Sequence, residues 1–294
     1  MILHNPNAGD EPGVIRDPHV VRTDGRYYMV GTSPNFWEGR TPGVRMWSSD
    51  DLVNWRPEGL MVSADAMPDD AWCKNRFWAP ELFVWRGRYY LTFSCRNEAK
   101  GTPFGLFLAS ADRVTGPYRM ASFEPFLTGG IDAHLFEADD GSVRLFYADR
   151  DIWTARFDPE RAALETPPRR IVCRGAEGEW DSIGVEGPAL VKRGGRYFLW
   201  YSSWTRGYEM GWAVADDPDG EFVKWPANPV ISGPGSAFPC AGHNCAFVGE
   251  AGVDLIAFHG HRPGEPERLC VDRVTYPMES RAPSERIELE KVQK

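Results

Sequence analysis

Four ionisable side chains stand at equivalent points of segments that are otherwise apolar. Asp17, Asp132, Glu186 and His243 each come eight or nine residues before a turn glycine, at the start of a predicted β-strand. Strands disfavour acidic residues, and carboxylates brought together repel one another. Proteins tolerate such groupings mainly at functional sites. Because paired carboxyl groups can serve as general acid and general base, these residues predict acid–base chemistry.

The turn glycines belong to a repeat that must position these side chains. A turn followed by a β-rich run occurs five times: DGRYYMVGTS (24–33), RGRYYLTFS (86–94), DGSVRLFYAD (140–149), GGRYFLWYS (194–202) and AGVDLIAFHG (251–260). A short apolar segment precedes each run, and several runs are followed by another, such as VRMWSSDDLVNW (44–55). Two short strands joined by a glycine-containing turn predict a β-hairpin.

Five repeats of three or four strands, without long helical patterns between them, predict an all-β, five-bladed β-propeller. A β-sandwich with accidental similarity is the alternative. No linker divides the chain, so residues 1–294 are predicted to form one domain, with a core at about 5–275 and a peripheral tail at about 279–294. The first strand of each propeller blade lines the central channel, so the acids should meet at one mouth. In blade two the equivalent position is occupied by Ala79.

Composition narrows the range of partners. The net charge of −9 and the pI near 5.3 argue against nucleic acid and anionic membranes as partners. No uncharged run reaches the ~18 residues of a membrane helix, and no signal peptide is visible, which predicts a cytoplasmic location. Six cysteines without CxxC spacing are expected to be mostly buried free thiols, with a Cys240–Cys245 disulfide as the alternative. Oligomeric state is left open.

The motifs at the strand starts resemble glycoside hydrolase family 43. They are Arg16-Asp17-Pro18, Trp78-Ala79-Pro80, Ile131-Asp132 and Glu186-Gly187-Pro188, and SSDDLVNW (48–55) resembles an outer strand of that family. The resemblance implies an inverting hydrolase of pentose-containing plant polysaccharides or oligosaccharides that requires no cofactor. It favours α-L-arabinofuranosidase or β-xylosidase activity, with endo-arabinanase activity as the alternative.

The same resemblance implies roles for individual residues. Asp17 would be the general base that activates water, and Glu186 the general acid that protonates the leaving oxygen. Asp132 would be a third carboxylate that raises the pKa of Glu186 and orients it. His243 would lie in the channel near a water or a structural calcium ion. The residues expected to contact substrate are Phe36, Trp78 and Arg268.

Two alternative functions are also compatible with these residues. Asp17 with His19, Asp132 with His134, and His259 with His261 each place two potential metal ligands on one strand face, so a metal-dependent enzyme is an alternative. A non-catalytic sugar-binding propeller is another, although acids retained on three blades argue against it. The residues themselves assign no role to His19 or His134.

Overall fold

The computed structural model of the protein describes residues 7–8, 11–12, 14–34, 37, 41–231, 240–262 and 264–277. The predicted C-terminal tail lies outside these residues. A small two-stranded sheet pairs β1 (Asn7–Ala8) with β2 (Glu11–Pro12). Two short 3₁₀ helices cover Ala64–Ala66 and Glu250–Gly252. No helix in the described part of the chain has the length and apolarity needed to cross a membrane.

The other strands form five antiparallel sheets, which confirms the predicted five-bladed propeller. Blade one contains β3 (Arg16–Thr23), β4 (Arg26–Thr32), β5 (Gly43–Ser49) and β6 (Trp55–Ser63). Blade two contains β7 (Asn75–Trp85), β8 (Arg88–Arg96), β9 (Gly105–Ala111), β10 (Arg119–Met120) and β11 (Leu127–Thr128). Blade three contains β12 (Ile131–Glu137), β13 (Val143–Asp149), β14 (Asp151–Asp158), β15 (Ala163–Leu164) and β16 (Arg169–Val172). Blade four contains β17 (Glu186–Arg193), β18 (Arg196–Ser203), β19 (Glu209–Ala215) and β20 (Val223–Lys224). Blade five contains β21 (Cys240–Val248), β22 (Asp254–His261) and β23 (Arg268–Arg273).

Tight turns join the first two strands of three blades. In blades one, two and four, both turn residues have positive φ, the type I′ geometry whose twist matches that of the flanking strands. Asp24 and Gly25, for example, have φ of 50° and 77°. The turns of blades three and five are longer, since Glu137 pairs with Val143 across residues 138–142 and Val248 pairs with Asp254 across residues 249–253. The repeat spacing in the sequence therefore reflects real hairpins.

The hydrophobic core is divided among the interfaces between blades. Each of five buried clusters combines side chains of two neighbouring blades, so both faces of most inner strands are covered. Between blades one and two, Val30 and Met46 pack in one cluster with Phe93. Between blades four and five, Trp200 and Phe258 share another. This packing explains why the strands read as apolar runs rather than strict alternations.

Blade five closes the ring against blade one. The innermost strands β3, β7, β12, β17 and β21 contact one another in that order, and β21 contacts β3. Val20 donates its N–H to Cys245 Sγ at 3.4 Å, and the thiol donates to Val20 O at 3.3 Å. Cys240 and Cys245 are both free, so the alternative disulfide is not formed. The five strand starts are thereby fixed around one channel mouth.

Candidate active site

A β-bulge interrupts the first strand of every blade at the channel mouth. The hydrogen-bond register shifts there in β3, β7, β12, β17 and β21. One residue at each bulge is left-handed, with φ between 43° and 61°: Asp17, Ala79, Asp132, Gly187 and His243. A left-handed conformation is costly for residues other than glycine and is concentrated at functional sites. Here the left-handed conformation directs three polar side chains into the channel mouth, those of Asp17, Asp132 and His243.

The structure corrects the equivalence of Glu186 with Asp17 and Asp132. The left-handed residue of blade four is Gly187, and Glu186 precedes it, at the position that Arg16 occupies in blade one. The spacing was misleading because the longer turn of blade three adds a residue before Gly141, whereas blade four has a two-residue turn. Glu186 thus enters the pocket from one residue before the bulge.

One pocket at the mouth is lined by Asp17, Asp132 and Glu186 together. It is small, with a cavity volume of about 70 Å³. Asp17 and Asp132 are 7% and 4% exposed, and Glu186 is half-buried. The remaining lining is aromatic, cationic and polar: Arg16, Thr32, Trp37, Trp78, Ile131, Tyr208 and His243.

Asp17 lies among hydrogen-bond donors and basic groups. Thr32 Oγ1 donates to its Oδ2 at 2.6 Å, and His259 Nδ1 lies 3.4 Å from its Oδ1. Burial alone would raise the pKa of Asp17. The pKa is nevertheless lowered, because the effect of burial is outweighed by that of the neighbouring groups His243, Arg16, His259 and Thr32. The carboxyl group is therefore ionised at neutral pH and can accept a proton.

Glu186 has the opposite environment. Burial, followed by the charges of Asp132 and Asp17, raises its pKa well above the usual value, and Arg16 offsets only part of this. Tyr208 Oη donates a hydrogen bond to Glu186 Oε1. Burial is also the main cause that raises the pKa of Asp132 to about 6, with Asp17 adding to it and His243 opposing it. The pKa of Asp17 is lowered and the pKa of Glu186 is raised, so these two carboxyl groups of one pocket differ in protonation at neutral pH.

His243 stands between two of the carboxyl groups. Its Nδ1 lies 3.6 Å from Asp17 Oδ1 and 3.6 Å from Asp132 Oδ2, and its side chain is 4% exposed. This position favours ionisation of both carboxyl groups when the imidazole is protonated. That His243 lies near a calcium ion stays a prediction.

Aromatic rings form one wall of the pocket. Trp78 packs edge-on against Trp37, with ring centroids 5.3 Å apart, and its other ring contact is with Phe104, tilted by 30° at 4.5 Å. Trp37 is 61% exposed, so its face is open to a ligand. The Arg16 guanidinium lies 4.9 Å from the Trp37 ring and 5.6 Å from the Tyr208 ring. Apolar ring faces suit the carbon face of a sugar.

The other predicted contacts differ in outcome. Phe36 lies outside the described residues. Arg268 begins β23, the third strand of blade five, and is not among the described residues that line the pocket. Its contact with substrate stays a prediction. The residues predicted from the sequence did not include Tyr208, Thr32 and Ile131, which line the pocket. The repeat could have indicated Thr32, because the residue seven positions after a turn glycine recurs at the side of the blade that faces the next one.

His19, Glu81 and His134 form a buried cluster in the channel. Their ligand-type atoms lie within 4.8 Å of one another. The backbone N–H of Leu82 donates to His19 Nδ1 at 3.2 Å, and that of Leu190 donates to His134 Nε2 at 3.1 Å. In a neutral imidazole the single proton must then be on the other nitrogen.

Those protonated nitrogens both face Glu81. His19 Nε2 lies 3.3 Å and His134 Nδ1 lies 2.7 Å from Glu81 Oε2. A nitrogen that carries a proton cannot bind a metal ion, and calcium prefers six to eight oxygen ligands. The cluster therefore fits neither calcium nor a catalytic transition metal. It is a set of hydrogen bonds that joins the first four blades.

Acid should weaken the fold through His19. Burial, partly offset by Glu81, lowers the pKa of His19 to about 4, against about 6.5 in the unfolded chain. The unfolded state binds the extra proton, so this contribution is full above pH ~6.5 and is lost as the pH falls toward about 4. The free energy of unfolding should drop by about 3 kcal/mol. Urea unfolding from pH 7 to 4 measures it, and His19→Gln should show a shallower dependence. An equal dependence in both proteins would contradict the prediction.

The fold and the pocket define a class of protein before any comparison. A five-bladed propeller with three carboxyl groups at one channel mouth, beside an aromatic wall, has the groups that an enzyme of glycoside hydrolysis requires. Residues 11–278 match the family model Glycosyl hydrolases family 43. The chain belongs to this family, whose members hydrolyse glycosidic bonds by an inverting mechanism without a cofactor.

Individual relatives are more distant. The chain is 26% identical to Beta-D-galactofuranosidase xynD of Aspergillus niger, over 92% of this chain and 83% of that protein. It is 28% identical to Xylosidase/arabinosidase 43B of Humicola insolens, over 88% of this chain but only 50% of that longer protein. A crystal structure of a thermostable family-43 glycoside hydrolase superposes with a TM-score of 0.78 at 25% identity, over 93% of each chain. The predicted family is confirmed.

Proposed function

We propose that the protein hydrolyses glycosidic bonds of pentose-containing plant oligosaccharides or polysaccharides, as an α-L-arabinofuranosidase or a β-xylosidase. Asp17 is the general base that takes a proton from the attacking water. Glu186 is the general acid that gives a proton to the leaving oxygen. Asp132 keeps the pKa of Glu186 high and orients it. Water attacks from the face opposite the leaving group, so the configuration at the anomeric carbon inverts.

The observation that carries this proposal is that Asp17 and Glu186 line one pocket in opposite surroundings. A base must be ionised and an acid protonated at the same pH. Asp17 meets the first condition because Arg16, Thr32 and the neighbouring histidines favour its charge. Glu186 meets the second because burial and Asp132 disfavour its charge. Binding alone would give no reason for this division of roles.

The sugar class is supported by similarity and by the shape of the pocket. The Humicola relative is named a xylosidase/arabinosidase, and the Aspergillus relative is named a galactofuranosidase. The pocket at the channel mouth is small, and its Trp37–Trp78 wall offers ring faces against which one sugar ring can stack. Pentoses lack the exocyclic carbon of hexopyranoses and fit such a pocket readily.

Product analysis tests the proposal directly. The purified protein is incubated with arabinoxylan- and arabinan-derived oligosaccharides and with nitrophenyl arabinofuranoside, xyloside and galactofuranoside. We expect release of a pentose whose first-formed anomer, observed by proton NMR, is inverted relative to the bond cleaved. Internal cleavage of arabinan would favour an endo-arabinanase instead. Retention of configuration would contradict the role of Asp17, and binding without release would indicate a sugar-binding module.

A further inference from the structure

Four of the five bulges at the channel mouth share a hydrogen-bonding scheme. In these four interfaces, the backbone N–H of the left-handed residue donates a hydrogen bond to a side chain of the preceding blade. That side chain belongs to the residue seven positions after the turn glycine of the preceding blade. The pairs are Ala79 N with Thr32 Oγ1 (2.7 Å), Asp132 N with Ser94 Oγ (2.9 Å), His243 N with Ser202 Oγ (2.8 Å) and Asp17 N with His259 Nδ1 (3.2 Å).

The interface between blades three and four departs from this scheme. The residue seven positions after Gly141 is Ala148, which pairs with Ile131 as Thr32 pairs with Arg16. Alanine has no side-chain acceptor. The Gly187 N–H instead donates a hydrogen bond to Asp132 Oδ2, at 2.9 Å.

We propose that Ala148 is a positioning residue for Asp132. Because it omits the acceptor that the other four blades supply, the Gly187 N–H is free to bind the Asp132 carboxylate. This inference rests on the proposed function, which gives Asp132 its part in setting the protonation of Glu186.

The comparison with blade one shows what the missing acceptor changes. Thr32 Oγ1 accepts from Ala79 N and donates to Asp17 Oδ2 at 2.6 Å, so a hydroxyl separates that carboxylate from the next blade. In blade three no hydroxyl intervenes, and the Asp132 carboxylate itself contacts the backbone of blade four. Glu186 is the residue before Gly187, so this contact brings Asp132 toward the acid that it serves. The N–H also favours the ionised form of a buried carboxyl group.

Gly187 cannot itself be used to remove this donor. Every residue except proline keeps the N–H, and a Cβ at Gly187 would lie 3.1 Å from His243 Nδ1 in a left-handed conformation of φ 58°. A substitution there would disturb the mouth in several ways at once. Ala148 is buried at 1% exposure and changes the acceptor alone.

Ala148→Ser tests the proposal. Ser94 and Ser202 show that a serine hydroxyl at this position reaches the N–H of the next blade. The new hydroxyl should take the Gly187 N–H and displace Asp132 Oδ2 from it. Loss of a hydrogen bond to a buried charge should lower kcat about tenfold or more on the substrate found by product analysis, with KM changed less than about twofold. The pH dependence of kcat should also shift.

Two variants separate the hydrogen bond from other effects. Ala148→Cys adds a bulkier atom that accepts hydrogen bonds only weakly, so a steric effect would be at least as large in the cysteine variant. Ala155→Ser buries the same hydroxyl elsewhere in blade three, at a site 4% exposed, and should keep the wild-type kcat and pH profile. We expect the order of kcat to be Ala155→Ser, then Ala148→Cys, then Ala148→Ser.

Asp132→Asn distinguishes failure of this inference from failure of the proposed function. If Asp132→Asn is active with an unchanged pH profile, the role of Asp132 is wrong and the inference falls with it. If Asp132→Asn is impaired but Ala148→Ser keeps kcat within about twofold and the same profile, only the inference is overturned. Equal losses in the serine and cysteine variants, or in Ala155→Ser, would overturn it as well.

Discussion

Replacing Glu186 with glutamine is expected to lower kcat by about 10²–10⁴-fold on natural glycosides, the usual contribution of a general acid. Glutamine fills the same space and can keep the hydrogen bond with Tyr208, but it has no proton to give. The loss should depend on the leaving group. A dinitrophenyl glycoside, whose leaving oxygen needs little protonation, should lose far less than a disaccharide. Steady-state rates on both substrates measure the difference.

The Glu186 variant should also remain folded. At neutral pH the Glu186 carboxyl group is protonated, and glutamine is equally uncharged and similar in size, so the Tm should not fall. Glu165→Gln, an exposed position on blade three, is the matched control and should keep full activity. Equal losses of rate on the dinitrophenyl glycoside and on the disaccharide would show that Glu186 does not act as the acid.

Asp17→Asn is expected to reduce kcat by about 10²–10⁴-fold, because water then loses the group that accepts its proton. Asparagine is the suitable replacement, since Asp17 has φ of 52° and asparagine tolerates the left-handed conformation well. The loss should not depend on the leaving group, in contrast to Glu186→Gln. Rates on the same two substrates therefore distinguish base from acid.

The pH dependence gives a second check on Asp17. Its pKa is lowered, so the base stays ionised from neutral pH well into the acid range. The deficit of Asp17→Asn should consequently be constant from neutral pH into the acid range in which the wild type is active. The alkaline limb, which reports loss of the proton from Glu186, should move to lower pH in the variant, because the Asp17 charge that helps to raise the pKa of Glu186 is gone. Recovery of Asp17→Asn to wild-type rates at any pH would exclude Asp17 as the base.

The stability of the site comes from its scaffold rather than from the acids. Burial opposes the charged forms of Asp17, Asp132 and Glu186 alike. The surrounding ring compensates through contacts between blades, such as the cluster at Glu81 and the apolar interfaces. A closed ring of five interfaces can hold strained, mutually repelling groups because no single interface must bear the whole cost.

Much of the protein could be predicted from local patterns in the sequence. The turn glycines and the β-rich runs after them indicated hairpins, and hairpins form from residues close in the chain. Counting back from the glycines found Asp17, Asp132 and His243 at the bulges. It placed Glu186 one residue away from the true bulge, because a longer turn in blade three cannot be recognised from spacing alone.

Other features of the site depended on which blades became neighbours. Nothing near Tyr208 in the chain indicates that its hydroxyl reaches Glu186, and His19 becomes intelligible only beside Glu81 and His134. The same holds for Ala148, an ordinary strand residue until it is compared with Thr32, Ser94 and Ser202 across the ring. These contacts join residues tens of positions apart.

The five repeats, the propeller and the three acids at the strand starts could be predicted from short-range periodicity and turn chemistry. The difference between those acids arises when the ring closes. Closure places Glu186 beside Asp132 and surrounds Asp17 with cationic and hydrogen-bonding groups. A pKa depends on the three-dimensional distribution of charge, donors and water around a group, and residues from several blades supply that distribution here.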